Sequence, residues 1–292
     1  MDTQSRHRLQ HVLQAKAFVF DVDGTLTVSD GADWRGAVAL PGAVDLLTWL
    51  RQSGRPYVLF TNGSTEPPAV YAERLRAAGL PIDDWQMITP GVTAAEIIAH
   101  EYPGRAVLVL GTDGVRAPLT ERRIPIVDPE DAEQAGVVLV GWDTVITYEQ
   151  IEAASRAIWS GADLLVTSLA PVFVTKRGPR PGWSGSVAAA ITWITGKEAR
   201  VTGKPAPEGL RAIARMLDLR PEDLTLVGDD LDLELRMGHE AGSATVLVRT
   251  GTSADAAVTG DVPDLAVHQL TELLAMLQEE GIQATANDRE DG

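Results

Sequence analysis

The chain is 292 residues long, with 45% apolar and 23% charged residues, no cysteine and a formal net charge of −16. Its length exceeds the usual single-domain size and supplies a sizeable core, so one large or two moderate domains are expected. The missing cysteines exclude disulfides, thiolate metal sites and thiol nucleophiles. The acidic balance argues against nucleic acid or an anionic membrane surface as partner.

In chain order, the N-terminal MDTQSRHRLQHVLQ holds no apolar run of signal-peptide length, and no later stretch approaches the ~20 apolar residues of a membrane helix. A soluble, cytoplasmic protein is the expectation. Short apolar runs then alternate with segments of helical period, the pattern of parallel α/β architecture. A run at 17–20 stops at Asp21. Residues 42–53 read as a helix closed by Gly54, and 57–60 as a buried strand ending at Thr61-Asn62-Gly63-Ser64. A helix at 68–78 ends at Gly79. Strands follow at 106–110, 137–140 and 164–167, with a helix at 148–160 between the last two. A Gly/Pro-rich loop, 177–182, leads into an apolar helix at 185–195. Strands at 224–227 and 245–248 flank a helix near 231–241, and the polar, acidic stretch 280–292 is expected to be disordered.

Three of these strands end in polar or acidic clusters. In open parallel sheets ligands bind beyond the carboxyl ends of the strands, so Asp21 and Asp23, Thr61 and Asn62, and Asp229 and Asp230 are expected to converge. Lys204, between Gly203 and Pro205, reaches the same place from a loop. These residue types suit phosphoryl transfer, which needs an oxygen nucleophile, a proton donor for the leaving group and cations around the phosphoryl oxygens. A carboxylate can be that nucleophile, a second can act as acid and then base, and clustered aspartates supply the hard oxygens magnesium takes.

DVDGT at 21–25, TNGS at 61–64, GKP at 203–205 and GDDLDLE at 228–234, in that order, resemble the four signature motifs of the haloacid dehalogenase superfamily. The resemblance spans about residues 15–275 and implies an α/β fold: a Rossmann-like parallel-sheet core with an inserted α/β (C2-type) cap. The strand–helix alternation between Thr61 and Lys204 implies subclass IIA, whose members resemble p-nitrophenylphosphatases and phosphoglycolate and glycerol-3-phosphate phosphatases. The implied division is core at 1–87 and 201–280, cap at 88–200 and a tail at 281–292.

Residue by residue, Asp21 matches the nucleophile and Asp23 the general acid/base. Thr61, Asn62, Gly63 and Lys204 match the phosphate-holding positions. Asp21, the backbone carbonyl of Asp23 and Asp229 match the ligands of a magnesium ion (Mg2+), with Asp230 and Glu234 just outside them. The aspartate at position 23 points to the phosphatases, because the dehalogenases lack it. The resemblance therefore implies Mg-dependent hydrolysis of a small phosphorylated metabolite through an aspartyl phosphate, with a homodimer formed through the cap. Two other readings share the site: transfer to an acceptor other than water, and a catalytically weak sensor of phosphorylated ligands.

Three departures stand out. Glu234 occupies the place of the usual second aspartate of the fourth motif; its longer carboxylate still reaches Lys204 or a metal-bound water, so altered geometry is expected. The cap loop reads Ser168-Leu169-Ala170 where relatives carry Asn-x-Asp. The loop at 28–39 is lengthened and holds Asp30, Asp33, Trp34 and Arg35, either to close on substrate or as surface elaboration. Lys176, Arg177 and Arg180 offer a basic loop for an anionic substrate tail, with a solvated surface as the plainer reading. The histidines show no metal-ligand spacing.

Overall fold

The computed structural model describes residues 3–29, 34–143, 145–175, 178–254 and 262–290. Six parallel strands form the larger sheet, in the order Leu265–Val267, Ala244–Val248, Leu224–Gly228, Ala17–Phe20, Tyr57–Phe60 and Met87–Ile88. The four longest are buried at every position. Their near-continuous Val, Leu and Phe content is what a sheet covered on both faces requires. Pleating divides the residues between two cores. Phe18 and Phe20 face the helices Ala43–Gln52, Pro68–Ala77 and Leu270–Glu290, while Ala17 and Val19 face Pro207–Met216 and Arg236–Ala241.

The strand Ala17–Phe20 lies between Tyr57–Phe60 on one side and Leu224–Gly228 on the other. The chain thus leaves this strand in one direction and returns beside it from the other. That reversal opens a crevice at the carboxyl ends of these strands, and Asp21 is the first residue beyond the central one.

The second sheet has five strands, in the order Arg200–Val201, Asp163–Val166, Ala135–Val140, Ala106–Leu110 and Ile126–Val127, all parallel. The helices Tyr148–Trp159 and Trp183–Thr195 cover one face. Pro90–Glu101 and Asp113–Glu121 cover the other. Pro90–Glu101 also packs on Pro207–Met216 of the first unit, so this helix is shared. Polar ties reinforce the junction: Thr93 Oγ1 donates to Thr202 O at 2.7 Å and Thr112 Oγ1 to Thr65 O at 2.8 Å.

Several elements differ from the sequence expectation. The Gly/Pro-rich loop is one arm of an antiparallel hairpin, Val172–Thr175 against Gly178–Pro181. Its prolines fit because a two-stranded ribbon leaves one edge of each strand unpaired. The polar C-terminal stretch extends the helix Leu270–Glu290; apart from Gly281 its residues oppose helix little, and no proline stops it. The helix Pro90–Glu101 went unread although it begins with proline and its preceding Thr89 accepts from Val92 N at 3.4 Å, both N-terminal signals. No helix among the described residues is long and apolar enough to cross a membrane.

Phe18 is fully buried and stacks on Phe20 with ring centroids 6.1 Å apart. Phe18→Ala should lower the unfolding free energy by about 3–5 kcal/mol. Urea denaturation measures it, and a loss below about 1 kcal/mol would contradict this packing.

Candidate active site

The strand ends bring the predicted residues together. Asp21 is 6% exposed, and its backbone N–H donates to Val227 O at 2.9 Å, continuing the sheet ladder. The Lys204 ammonium, itself 4% exposed, donates to Asp21 Oδ1 and, at 2.6 Å, to Glu234 Oε1. The Phe60 ring lies beneath it, 5.9 Å from the nitrogen. Asp229, just beyond Leu224–Gly228, accepts from Thr25 Oγ1 at 3.3 Å and from Thr252 N at 2.6 Å. Gly24 allows that approach. Its φ is +83°, and a Cβ there would lie 2.7 Å from Asp229 Oδ2.

The second motif divides its labour. Thr61 Oγ1 accepts from Gly63 N at 3.0 Å, which leaves its hydroxyl proton for a ligand oxygen. Asn62 faces the other way. Its amide donates to Lys204 O at 3.0 Å and accepts from Lys204 N at 2.8 Å. The side chain of Asn62 therefore holds the lysine loop in place.

Glu234 reaches Lys204 from a single π turn, Leu231–Leu235. Its other oxygen accepts from Asp230 N at 3.2 Å, and its stem packs on Gly228, where a Cβ would lie 2.4 Å from Glu234 Cγ. Asp230 caps the turn, accepting from Asp232 N at 2.8 Å and Leu233 N at 3.1 Å.

The electrostatics follow from burial among like charges. Burial alone would lower the Lys204 ammonium, but Asp21 and Glu234 outweigh it, so the lysine stays charged. Burial pushes the Glu234 carboxyl up, with Lys204 opposing. Asp229 is raised by burial and then by Asp21. Asp23 is the open member of the group and faces the crevice. Enclosure there raises its carboxyl to about 6; the indole of Trp34 opposes the shift and Asp21 reinforces it.

Those carboxylates sit at the floor of a cavity of about 640 Å³ between the two sheets' loop ends. Tyr71, Trp142, Ala170, Val172 and Trp183 contribute to its walls. Ala170 thus stands on the cavity surface where the resemblance implies a carboxylate. Arg180 is exposed on the hairpin and does not line the cavity. Lys176, Arg177, Asp30 and Asp33 lie outside the described residues.

The donor set suits a hard divalent cation. Asp21 Oδ2 is buried with no hydrogen-bond partner, and the facing carboxylates of Asp21 and Asp229 raise the latter's affinity for a proton. A divalent ion relieves both strains. Among the described residues no three His, Asp or Glu side chains cluster as a metal site.

Sequence reasoning missed three contributors. Thr25 lies inside the first motif, and its hydroxyl donates to Asp229. The segment 250–253 follows the strand Ala244–Val248 and braces Asp229 through Thr252 N; the strand-end argument already applied to its neighbours would have found it. Trp34 is the third: it is 1% exposed, and its Nε1 donates to Asp23 Oδ1 at 2.6 Å.

Known proteins share both the fold and the sequence pattern. The family described as haloacid dehalogenase-like hydrolase matches residues 18–124, and a second, HAD-hydrolase-like, matches 201–273. The acid sugar phosphatase of Staphylococcus aureus is 28% identical over 267 residues, covering 91% of this chain and 99% of that protein. The p-nitrophenyl phosphatase structure from Archaeoglobus fulgidus superposes with a TM-score of 0.77 at 28% identity, covering 90% of this chain and 99% of its own. The 4-nitrophenylphosphatase from Thermotoga maritima gives 0.77 at 28%, covering 91% and 98%. The chain belongs to the haloacid dehalogenase-like hydrolases and is an enzyme of their phosphatase type.

Asp23 carries a pH signature. Its carboxyl value rises from 3.8 to about 6 on folding, so its contribution to stability is full below the unfolded value and is lost as the pH climbs through about 6. Asparagine is neutral throughout. In metal-free protein, the thermal midpoint of Asp23→Asn should therefore rise relative to wild type between about pH 4 and pH 7. A difference that stays flat across that range would contradict the assignment.

Proposed function

We propose that the enzyme hydrolyses a small phosphate monoester in two steps through a phosphoryl group on Asp21, with magnesium held by Asp21, Asp229 and the backbone carbonyl of Asp23. The observation that supports this most is the Asp21 side chain itself. It lies at the cavity floor, with one oxygen bound to a buried lysine and the other without a partner.

In the first step an Asp21 oxygen attacks phosphorus and the bond to the leaving oxygen breaks, while Asp23 gives that oxygen its proton. In the second, Asp23, now a carboxylate, takes a proton from water as the water attacks the same phosphorus. Inorganic phosphate leaves and Asp21 is regenerated. A carboxyl value of about 6 suits a group that must be acid and then base near neutrality. Lys204 holds one Asp21 oxygen in place, and the Thr61 hydroxyl donates to a phosphoryl oxygen. Magnesium, when bound, offsets charge on the transferring group.

The cavity's tryptophan and tyrosine walls favour a ring-bearing alcohol or phenol as the leaving part, since such faces stack on sugars and aryl rings. That agrees with the sugar and p-nitrophenyl phosphates in the relatives' names. Water as acceptor is preferred because Asp23 lines the cavity and can serve as base toward it. A cytoplasmic location and a homodimer through the cap complete the proposal; Trp159 and Trp193, 63% and 90% exposed on the cap helices, are apolar surface such a pair would cover.

Asp21→Asn should lower p-nitrophenyl phosphate turnover by at least about 10³-fold with the thermal midpoint little changed. Near-normal hydrolysis by that variant would overturn the proposed nucleophile. Removing metal with EDTA should likewise abolish turnover, restored by added magnesium; hydrolysis that persists in chelator would remove the metal from the proposal.

A further inference from the structure

Trp34 is a large aromatic side chain that touches the proposed acid/base, and it comes from the lengthened loop that no motif predicts. Its indole is fixed on two sides. The ring meets Tyr71 edge-on, with centroids 4.7 Å apart and planes at 85°. It also passes over the second motif, where a Cβ on Gly63 would lie 3.1 Å from Trp34 Cη2. Tyr71 is in turn anchored, its hydroxyl accepting from Thr65 N and Glu66 N at 3.1 Å each. A rigid chain of contacts therefore runs from the segment after Thr61, through Tyr71 and Trp34, to Asp23.

The chemistry of that last contact is directional. An indole N–H donates and cannot accept. Asp23 Oδ1 must therefore be an acceptor whenever the 2.6 Å bond is made. A proton carried by Asp23 is then restricted to Oδ2, and the carboxyl plane is set by the indole. A general acid loses effect when its proton is misdirected by even a fraction of an ångström.

We propose that Trp34 is a positioning residue that fixes the rotamer of Asp23 and assigns its transferable proton to Oδ2, facing the leaving oxygen. This rests on the reading of Asp23 as acid/base. The consequence is selective. A poor leaving group such as an alkoxide needs the proton, whereas p-nitrophenolate leaves with little help. The ratio kcat/KM reports events up to the first irreversible step, the departure of that group, and so isolates the acid role from the later attack of water.

The test compares an alkyl phosphate with p-nitrophenyl phosphate in wild type, Trp34→Phe and Asp23→Asn. Phenylalanine keeps a ring against Tyr71 and removes the donor. Trp34→Phe should lower kcat/KM for the alkyl ester about 10- to 100-fold more than for the aryl ester, in the same sense as Asp23→Asn and to a smaller extent. Equal losses on both esters, or none, would overturn the proposal while leaving the phosphatase reading intact. A wild-type enzyme that hydrolyses neither ester would overturn that reading itself. A second measurement needs no Trp34 variant. In protein with 15N-labelled tryptophan, one of the seven indole N–H resonances should lie downfield and move upfield in Asp23→Ala; seven unmoved indole signals would overturn the proposal.

Discussion

The site is organised around one buried cation. Lys204 sits between Asp21 and Glu234 with almost no exposure, donating to both. Burying an ammonium costs several kcal/mol unless its partners are ionised and well placed. Burying two carboxylates this close without it would drive protons onto one of them. Each charge is therefore tolerated because the others are there. The Asp21 carboxylate, the Lys204 ammonium and the Glu234 carboxylate form a single unit, and removing any member exposes the cost of burying the rest.

That dependence reaches into the architecture. Lys204 follows the edge strand Arg200–Val201 of the cap sheet, and Asn62 clamps its backbone from the end of a core strand. The lysine is thus placed jointly by both sheets. Thr202, two residues earlier, accepts from Thr93 on the shared helix and donates to Pro90 O at 3.0 Å. The contact between the Lys204 ammonium and the Asp21 carboxylate thus depends on how the two sheets meet.

Much of this was legible in the sequence. Apolar runs marked the strands because a parallel sheet buried on both faces leaves no room for polar alternation. Asp21, Thr61, Lys204 and Asp229 were legible because DVDGT, TNGS, GKP and GDDLDLE follow one another in order, each at a strand end or in a loop, although alone each also reads as a turn, a cap or a solvated residue. What escaped depends on contacts between distant segments. Asn62 reads by resemblance as a phosphate-holding residue, and nothing local shows that its amide closes on a backbone 142 positions away. Trp34 reads as part of a polar insertion, since its partner Tyr71 lies on another helix. Arg180, attractive by charge alone, projects from a hairpin whose course the Gly/Pro composition concealed.

Glu234 shows how a departure from a motif is absorbed. Its side chain is one methylene longer than the aspartate that the resemblance implies, yet it must present an oxygen at the same distance from a fixed lysine. Two features take up the excess. The backbone widens into a π turn, a form common at functional sites, which moves the glutamate stem outward. The residue facing that stem is Gly228, and any side chain there would overlap it. The second oxygen is then retained by Asp230 N instead of pointing into the cavity. The longer carboxylate consequently acts as a support for Lys204.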